Sequence, residues 1–112
     1  MAVAITDLSG LTKVELSGRL DTMSVDQLET AFVAGIVPKG RHTVVDLTQV
    51  TFIASLAIRM LLSTARTLDR RGIKFVIFGA MPPVMEVIET TALGEIVPVF
   101  ATEAEAMAAL DS

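Results

Sequence analysis

Residues 44–62 read VVDLTQVTFIASLAIRMLL, and this stretch decides the fold. Its first half is rich in β-branched and apolar residues, which indicates a buried strand. Its second half repeats apolar residues at helical spacing, which indicates a helix after a short connection. Ser55 lies where one pattern gives way to the other, at or next to the predicted helix start. This junction is therefore the first candidate for a functional site.

The length predicts one domain over residues 1–112, because 112 residues leave no room for a second core, and the alternation of strand and helix patterns described below makes it an α/β domain. Hydrophobic residues make up 52% of the chain and aromatic residues only 4%, so the core must be aliphatic. There is no cysteine. Disulfides, thiolate metal sites and cysteine nucleophiles are thereby excluded together.

The charge balance argues against nucleic acid as a partner. The formal net charge is −4, whereas phosphate backbones require a basic patch. The one basic cluster, Arg66, Arg70 and Arg71, falls near a predicted helix C-terminus, where the dipole favours cations. No run of ~20 apolar residues predicts a membrane span, and the N-terminus shows no secretory signal. We expect a cytoplasmic location.

The rest of the chain alternates strand and helix patterns around the central stretch. Two short strands flank the turn signal Ser9-Gly10, and Ser24 with Gln27 matches a capping box for the first helix. The further predicted strands are residues 43–47, 73–78 and 96–100, and the further helices begin near Ser55, Pro82 and Thr102. Pro98 makes the last strand an edge strand. The predicted fold is a mixed sheet of four to five strands with about four helices.

Ser55 has two interpretations on physical grounds alone. The first N–H groups of a helix lack intrahelical partners, and the helix dipole favours negative charge there. The serine could therefore be an N-cap, or it could carry a phosphate that the same helix end would tolerate. The residue alone leaves both open.

The second long helix predicts a small docking patch beside Ser55. At ~100° per residue, Leu56 and Met60 lie opposite a buried stripe that includes Ile58 and Leu61, and they share the outer face with Arg59. We therefore expect Leu56, Arg59 and Met60 to contact a partner. The alternative is that isolated exposed apolar side chains have no role.

The residues that could support catalysis do not form a site. His42 is the only histidine, and a strand of several residues would separate it from Ser55. Glu86 and Glu89 lie on a predicted exposed helix face, and no glycine-rich phosphate loop is present. We predict no catalytic residues, no metal and no cofactor.

Several segments together resemble the STAS domain, the family of bacterial anti-sigma-factor antagonists. Gly18-Arg19-Leu20-Asp21 resembles the family's G-x-L-D segment, and residues 44–53 resemble the strand that leads to its signature loop. The segments that also match are Gly72, Gly79, Pro83 and residues 93–100. The resemblance spans nearly the whole chain and implies a STAS-like fold.

The signature loop of the family typically reads Asp-Ser-Ser/Thr-Gly, whereas residues 54–57 here read Ala-Ser-Leu-Ala. Only the first serine is retained, and the resemblance implies that Ser55 is the phosphorylated position. It also implies partner switching, in which the unmodified protein binds an anti-sigma factor that is a serine kinase. Phosphorylation then breaks the complex, and a phosphatase restores it.

Asp21 and the general role of the chain each keep two interpretations. Asp21 could cap the first helix, or it could contact the partner at the sheet edge that carries Ser55, as the family suggests. The chain could also be a STAS adaptor that is never phosphorylated, for example a cytoplasmic component of a lipid transporter. The predicted edge strand would allow a weak homodimer.

Overall fold

The computed structural model describes residues 3–111. Its elements, in chain order, are β1 (Val3–Leu8), β2 (Leu11–Leu20), α1 (Thr22–Ile36), β3 (Thr43–Ile53), α2 (Ser55–Asp69), β4 (Phe75–Phe78), α3 (Pro82–Glu89), α4 (Leu93–Ile96), β5 (Val99–Phe100) and α5 (Glu103–Asp111). The α/β class is confirmed. Within the described residues there are five strands and five helices, and the additional helix relative to the prediction is the single turn α4.

The five strands form one mixed sheet in the order β1-β2-β3-β4-β5. β1 and β2 pair antiparallel through the predicted turn, where Ser9 (φ 44°) and Gly10 (φ 89°) are both left-handed. Two positive φ values give a turn whose twist matches that of the flanking strands. All later neighbours pair parallel, so β2, β3, β4 and β5 end at the same edge of the sheet. The predicted edge position of the last strand is confirmed.

The sheet separates two apolar cores. Helices α1 to α4 cover one face with apolar side chains, among them Phe32, Leu61 and Ile88. On the other face, α5 packs Ala106 and Leu110 against a smaller cluster from β3 and β4. None of the helices described in residues 3–111 is both long and apolar enough to cross a bilayer.

Several element boundaries differ from the prediction. β4 begins at Phe75 rather than at residue 73, and β5 begins at Val99 rather than at residue 96, because Ile96 ends α4. β3 continues to Ile53 rather than ending near residue 47, so Ala54 alone connects it to α2. The longer strand is supported by its partner β2, which also extends to Leu20. α1 contains Gly35 and continues to Ile36. A side chain at Gly35 would collide with Ile5, so the glycine lets α1 lie close to β1.

Candidate functional site

The carboxyl ends of β2 and β3 bring two of the predicted residues to the same edge of the sheet. Leu20 is the register partner of Ile53, and the backbone N–H of Ala54 donates to the Leu20 carbonyl at 2.9 Å. Asp21 and Ser55 therefore follow neighbouring parallel strands. Ligand and partner sites gather at such ends.

An exposed aromatic side chain, which the sequence analysis did not single out, lies at the same edge. The β2–β3 register shifts between Gly18 and Arg19, and Arg19 becomes the partner of Phe52. The guanidinium carbon of Arg19 lies 4.4 Å from the centre of the Phe52 ring, a cation–π contact. Phe52 nevertheless remains 40% exposed. Such a bulge redirects side chains, and it turns both Thr51 and Phe52 toward solvent.

Asp21 is the N-cap of α1. Its Oδ1 accepts from the backbone N–H of Ser24 at 2.9 Å. Hydrogen bonding from Ser24, chiefly from this N–H, lowers the pKa of Asp21 from its ordinary value. The capping interpretation of Asp21 is confirmed, and the predicted capping role of Ser24 is wrong because the helix begins at Thr22. The other Asp21 oxygen lies 3.9 Å from Nε of Arg19.

Ser55 is the first residue of α2, and its side chain is exposed. The N-cap is Ala54, in an extended conformation (φ −94°, ψ 166°), and no side chain caps the helix. The N–H groups of Ala57 and Ile58 instead return to the Ala54 carbonyl. The predicted helix start is confirmed, and the N-cap interpretation of Ser55 is wrong. Within residues 3–111 we find no hydrogen bond that occupies its hydroxyl.

Met60 does not lie on the outer face of α2, where it was expected. It is only 2% exposed, and Leu56 is half-buried, whereas Arg59 is exposed. The prediction that Met60 is exposed is therefore wrong. The buried strip is centred near Ala57, Leu61, Thr64 and Leu68, and this centre lies roughly 50° from the predicted one.

The displacement of the buried strip has a packing cause. Small buried side chains at Ala57 and Thr64 allow close approach on that side of α2, which packs beside α1 and α4. Met60 turns inward as a result, and Leu62 turns partly outward.

We call Arg19, Asp21, Met23, Phe52 and Ser55 the Ser55 edge. Met23, in the first turn of α1 and two residues after Asp21, is 72% exposed and adds a second exposed apolar side chain. An edge with exposed apolar, charged and hydroxyl groups can dock a partner. It offers no nucleophile–base pair among these five side chains.

The other candidate residues lie elsewhere. His42 precedes β3, and its Nδ1 accepts from the backbone N–H of Lys74 at 2.9 Å. The 11 residues of β3 hold His42 and Ser55 at opposite ends of the strand, roughly 30 Å apart. In residues 3–111, no three histidine or carboxylate side chains are grouped closely enough to hold a metal ion.

Comparisons with known proteins agree with this architecture. A family model for the STAS domain matches residues 2–106. BtrV of Bordetella bronchiseptica, provisionally named an anti-sigma factor antagonist, is 29% identical over 109 residues that cover 97% of this chain and 93% of that protein. An anti-sigma-factor antagonist (STAS) domain protein of Planctomyces limnophilus is 25% identical, with a TM-score of 0.86 over 98% of both chains. An anti-sigma factor antagonist of Mycobacterium paratuberculosis is also 25% identical, with a TM-score of 0.88 over 98% of this chain and 93% of that one.

Proposed function

The chain belongs to the STAS domain family, and on this basis we propose that it is an anti-sigma factor antagonist that acts by binding rather than by catalysis. The names of the relatives in Bordetella, Planctomyces and Mycobacterium support this role. In the proposed cycle, the protein binds an anti-sigma factor that is a serine kinase and so releases the sigma factor. Sigma factors act on transcription, so the proposal places the protein in the cytoplasm.

We further propose that phosphorylation of Ser55 switches this binding. The observation that carries the proposal is the exposed Ser55 hydroxyl, which caps nothing at the start of α2. A kinase could reach it without breaking a native cap. The helix N-terminus would tolerate the added charge within the folded protein. In a closely packed complex, the phosphate would repel acidic groups of the partner and would lose its hydrating water, which costs free energy.

The proposed docking surface joins the Ser55 edge to the start of α2. Phe52 and Met23 supply exposed apolar area, and Leu56 adds a half-buried apolar side chain. Arg19, Asp21 and Arg59 would supply the charged contacts around it. Met60 is not part of this surface, because its side chain is buried.

Binding of Ser55 variants to the partner tests the proposal. Each candidate anti-sigma factor kinase of the source genome is titrated with wild-type protein, Ser55→Ala and Ser55→Asp. We expect wild type and Ser55→Ala to bind, and Ser55→Asp to bind at least roughly tenfold more weakly, a loss of about 1.4 kcal/mol. Mass spectrometry after incubation with kinase and ATP should find one phosphate, on Ser55.

Ser9→Asp is the matched control, because it adds the same charge in the β1–β2 turn at a residue with positive φ, which aspartate tolerates. It should bind like wild type. Equal binding by wild type and Ser55→Asp would contradict the switch.

The second candidate function is a STAS adaptor that is never phosphorylated. Ala54, Leu56 and Ala57 favour it, because they replace the polar residues and the glycine that typically surround the phosphorylated serine in the family. An adaptor would take up no phosphate from any candidate kinase. Its affinity for its partner would be the same for Ser55→Asp as for wild type.

A further inference from the structure

The outer face of α2 carries three arginines in one line. Arg59, Arg66 and Arg70 are separated by seven and four residues, which places them within about 40° of one another around the helix axis. All three are exposed. Together with Leu62 and Ser63 they line a shallow groove of about 280 Å³. We call these five residues the arginine face.

No arginine of the arginine face forms an ion pair within residues 3–111, although the exposed Asp69 lies on the same helix. The ion pairs among residues 3–111 are Lys13–Glu103, Arg19–Asp21, Lys39–Asp7 and Arg41–Asp7, and none of them includes an arginine of this face. Arg70 donates to the hydroxyl of Thr67, at 3.5 Å. In a chain of net charge −4, three guanidinium groups thus lie along one helix face with no carboxylate of residues 3–111 within 4.0 Å of them.

Helix stability accounts for only part of this arrangement. The dipole favours Arg66 and Arg70 near the C-terminus of α2. It does not favour Arg59, which lies in the N-terminal half. Like charges four residues apart, as in Arg66 and Arg70, also weaken a helix slightly. The fold therefore gains little from the whole line, which leaves a binding role as its explanation.

We propose that the arginine face docks an acidic segment of the anti-sigma factor, an inference that rests on the proposed function. Arg59 and Arg70 are about 16 Å apart along the helix. Carboxylates spaced over about three turns of a facing helix would match this length. Leu62 gives the groove a small apolar floor, which suits a peptide side chain better than a phosphate backbone.

The arginine face and the phosphorylation site are coupled by their spacing. Ser55 lies four residues before Arg59, so the two side chains are neighbours on the same side of α2. A phosphate on Ser55 would bring about −1.5 to −2 charges beside Arg59 and would pair with its guanidinium. It would thereby neutralise the near end of the arginine face and repel acidic groups of the partner. Phosphorylation and docking of the acidic segment exclude each other for this reason.

The salt dependence of partner binding tests the inference. The anti-sigma factor kinase identified with wild-type protein is titrated with Arg59→Gln/Arg66→Gln across a series of salt concentrations. We expect association to slow at least roughly tenfold at low salt, and the salt dependence to flatten. Arg41→Gln is the control, because it removes an exposed arginine that lies outside the face and is 3.6 Å from Asp7. It should behave like wild type.

Unchanged binding by the double variant would contradict the docking role of the arginine face and would leave the proposed function intact. If no kinase binds the wild-type protein, the proposed function fails, and a synthetic probe decides the inference separately. That probe is a helical peptide with glutamates at positions i, i+7 and i+11, and its control is the same peptide with glutamines. Amide chemical shifts of the labelled protein should move along α2 with the glutamate peptide only.

The same titration includes a single-stranded oligothymidine and vesicles of phosphatidylglycerol. We expect neither of them to shift the α2 amides at a matched charge concentration. Preferential binding of either one would overturn the inference in favour of nucleic acid or an anionic membrane. No shift with the glutamate peptide would overturn it as well.

Discussion

At the scale of single residues, the Ser55 edge combines two side chains with different duties. Asp21 stabilises the start of α1 by accepting from the Ser24 N–H, and it remains partly exposed beside Arg19. Ser55 opens α2 without stabilising it through a side-chain cap. Asp21 thus stabilises the fold as a cap, whereas the Ser55 hydroxyl remains available for modification.

Replacement of Asp21 tests its role as a cap. Its pKa is lowered in the folded protein, so its contribution to stability is present above the unfolded pKa of about 3.9 and is lost as the pH falls through the folded pKa. Asp21→Ala should lower Tm at neutral pH. Asp21→Asn should keep much of the cap and remove this part of the acid dependence, because an amide does not titrate. Thermal unfolding of the three proteins from about pH 7 to about pH 2 measures both effects.

An equal Tm for Asp21→Ala and wild type at neutral pH would contradict the capping role. A separate loss of partner binding in Asp21→Asn, at unchanged Tm, would support the proposed contact.

At the scale of elements, the orientation of α2 determines which side chains can meet a partner. Its buried strip includes Met60, and its outer face presents Arg59 and the rest of the arginine face. At the sheet edge, too, the pairing of neighbouring elements determines which side chains are exposed. The β2–β3 bulge exposes Phe52, which then stacks with Arg19.

Alanine substitutions at Met60 and Leu56 should separate stability from binding. Met60→Ala leaves a cavity in the main core and should lower the free energy of unfolding by about 2–4 kcal/mol. Leu56→Ala should cost less than about 1 kcal/mol, because Leu56 already meets solvent. Partner affinity should fall for Leu56→Ala alone. Urea unfolding and partner titration of both variants test this, and a larger stability loss at Leu56 would be the opposite result.

Gly72, after α2, and Gly79, after β4, have similar positive φ angles and give a matched pair for substitution by alanine. Gly72 (φ 72°) faces open space, so Gly72→Ala should cost only the left-handed conformation, about 1 kcal/mol. At Gly79 (φ 78°), a Cβ would also collide with the side chain of Thr48. Thr48 is held by hydrogen bonds to Asp46 of 2.8 Å and 2.7 Å and cannot withdraw freely.

Gly79→Ala should therefore destabilise the protein by about 2–4 kcal/mol, clearly more than Gly72→Ala. Denaturant unfolding of the two variants beside wild type measures the difference. Equal losses would show that Thr48 yields without cost.

At the scale of the whole molecule, the sheet separates the proposed binding surfaces from the smaller core. The Ser55 edge and α2 belong to the side covered by α1 to α4, whereas α5 closes the opposite face with Ala106 and Leu110. The affinity for the partner should therefore not depend on the side chains that pack on the far face.

Leu110→Ala tests this separation. Leu110 is 5% exposed, and its truncation should lower the free energy of unfolding by about 2–4 kcal/mol. The dissociation constant for the anti-sigma factor should stay within about twofold of wild type at a temperature where the variant is folded. A large loss of affinity in the folded variant would show that the two faces are coupled.

The local sequence determined the class of fold, the order of its elements and the position of Ser55 at a helix start, because apolar periodicity and turn residues act over a few neighbours. The two candidate duties of Asp21 were also readable from its place after a strand. Only the tertiary structure showed that Asp21 caps α1, and it also excluded Ser55 as a cap.

The rotation of α2 and the exposure of Phe52 could not be predicted from periodicity alone. The rotation of α2 depends on how closely Ala57 and Thr64 let the helix approach its neighbours. The exposure of Phe52 depends on a register shift between β2 and β3. Both are set by contacts between segments that are distant along the chain. A pattern within one segment does not contain them, which is why Met60 was placed on the wrong face while Ser55 was placed correctly.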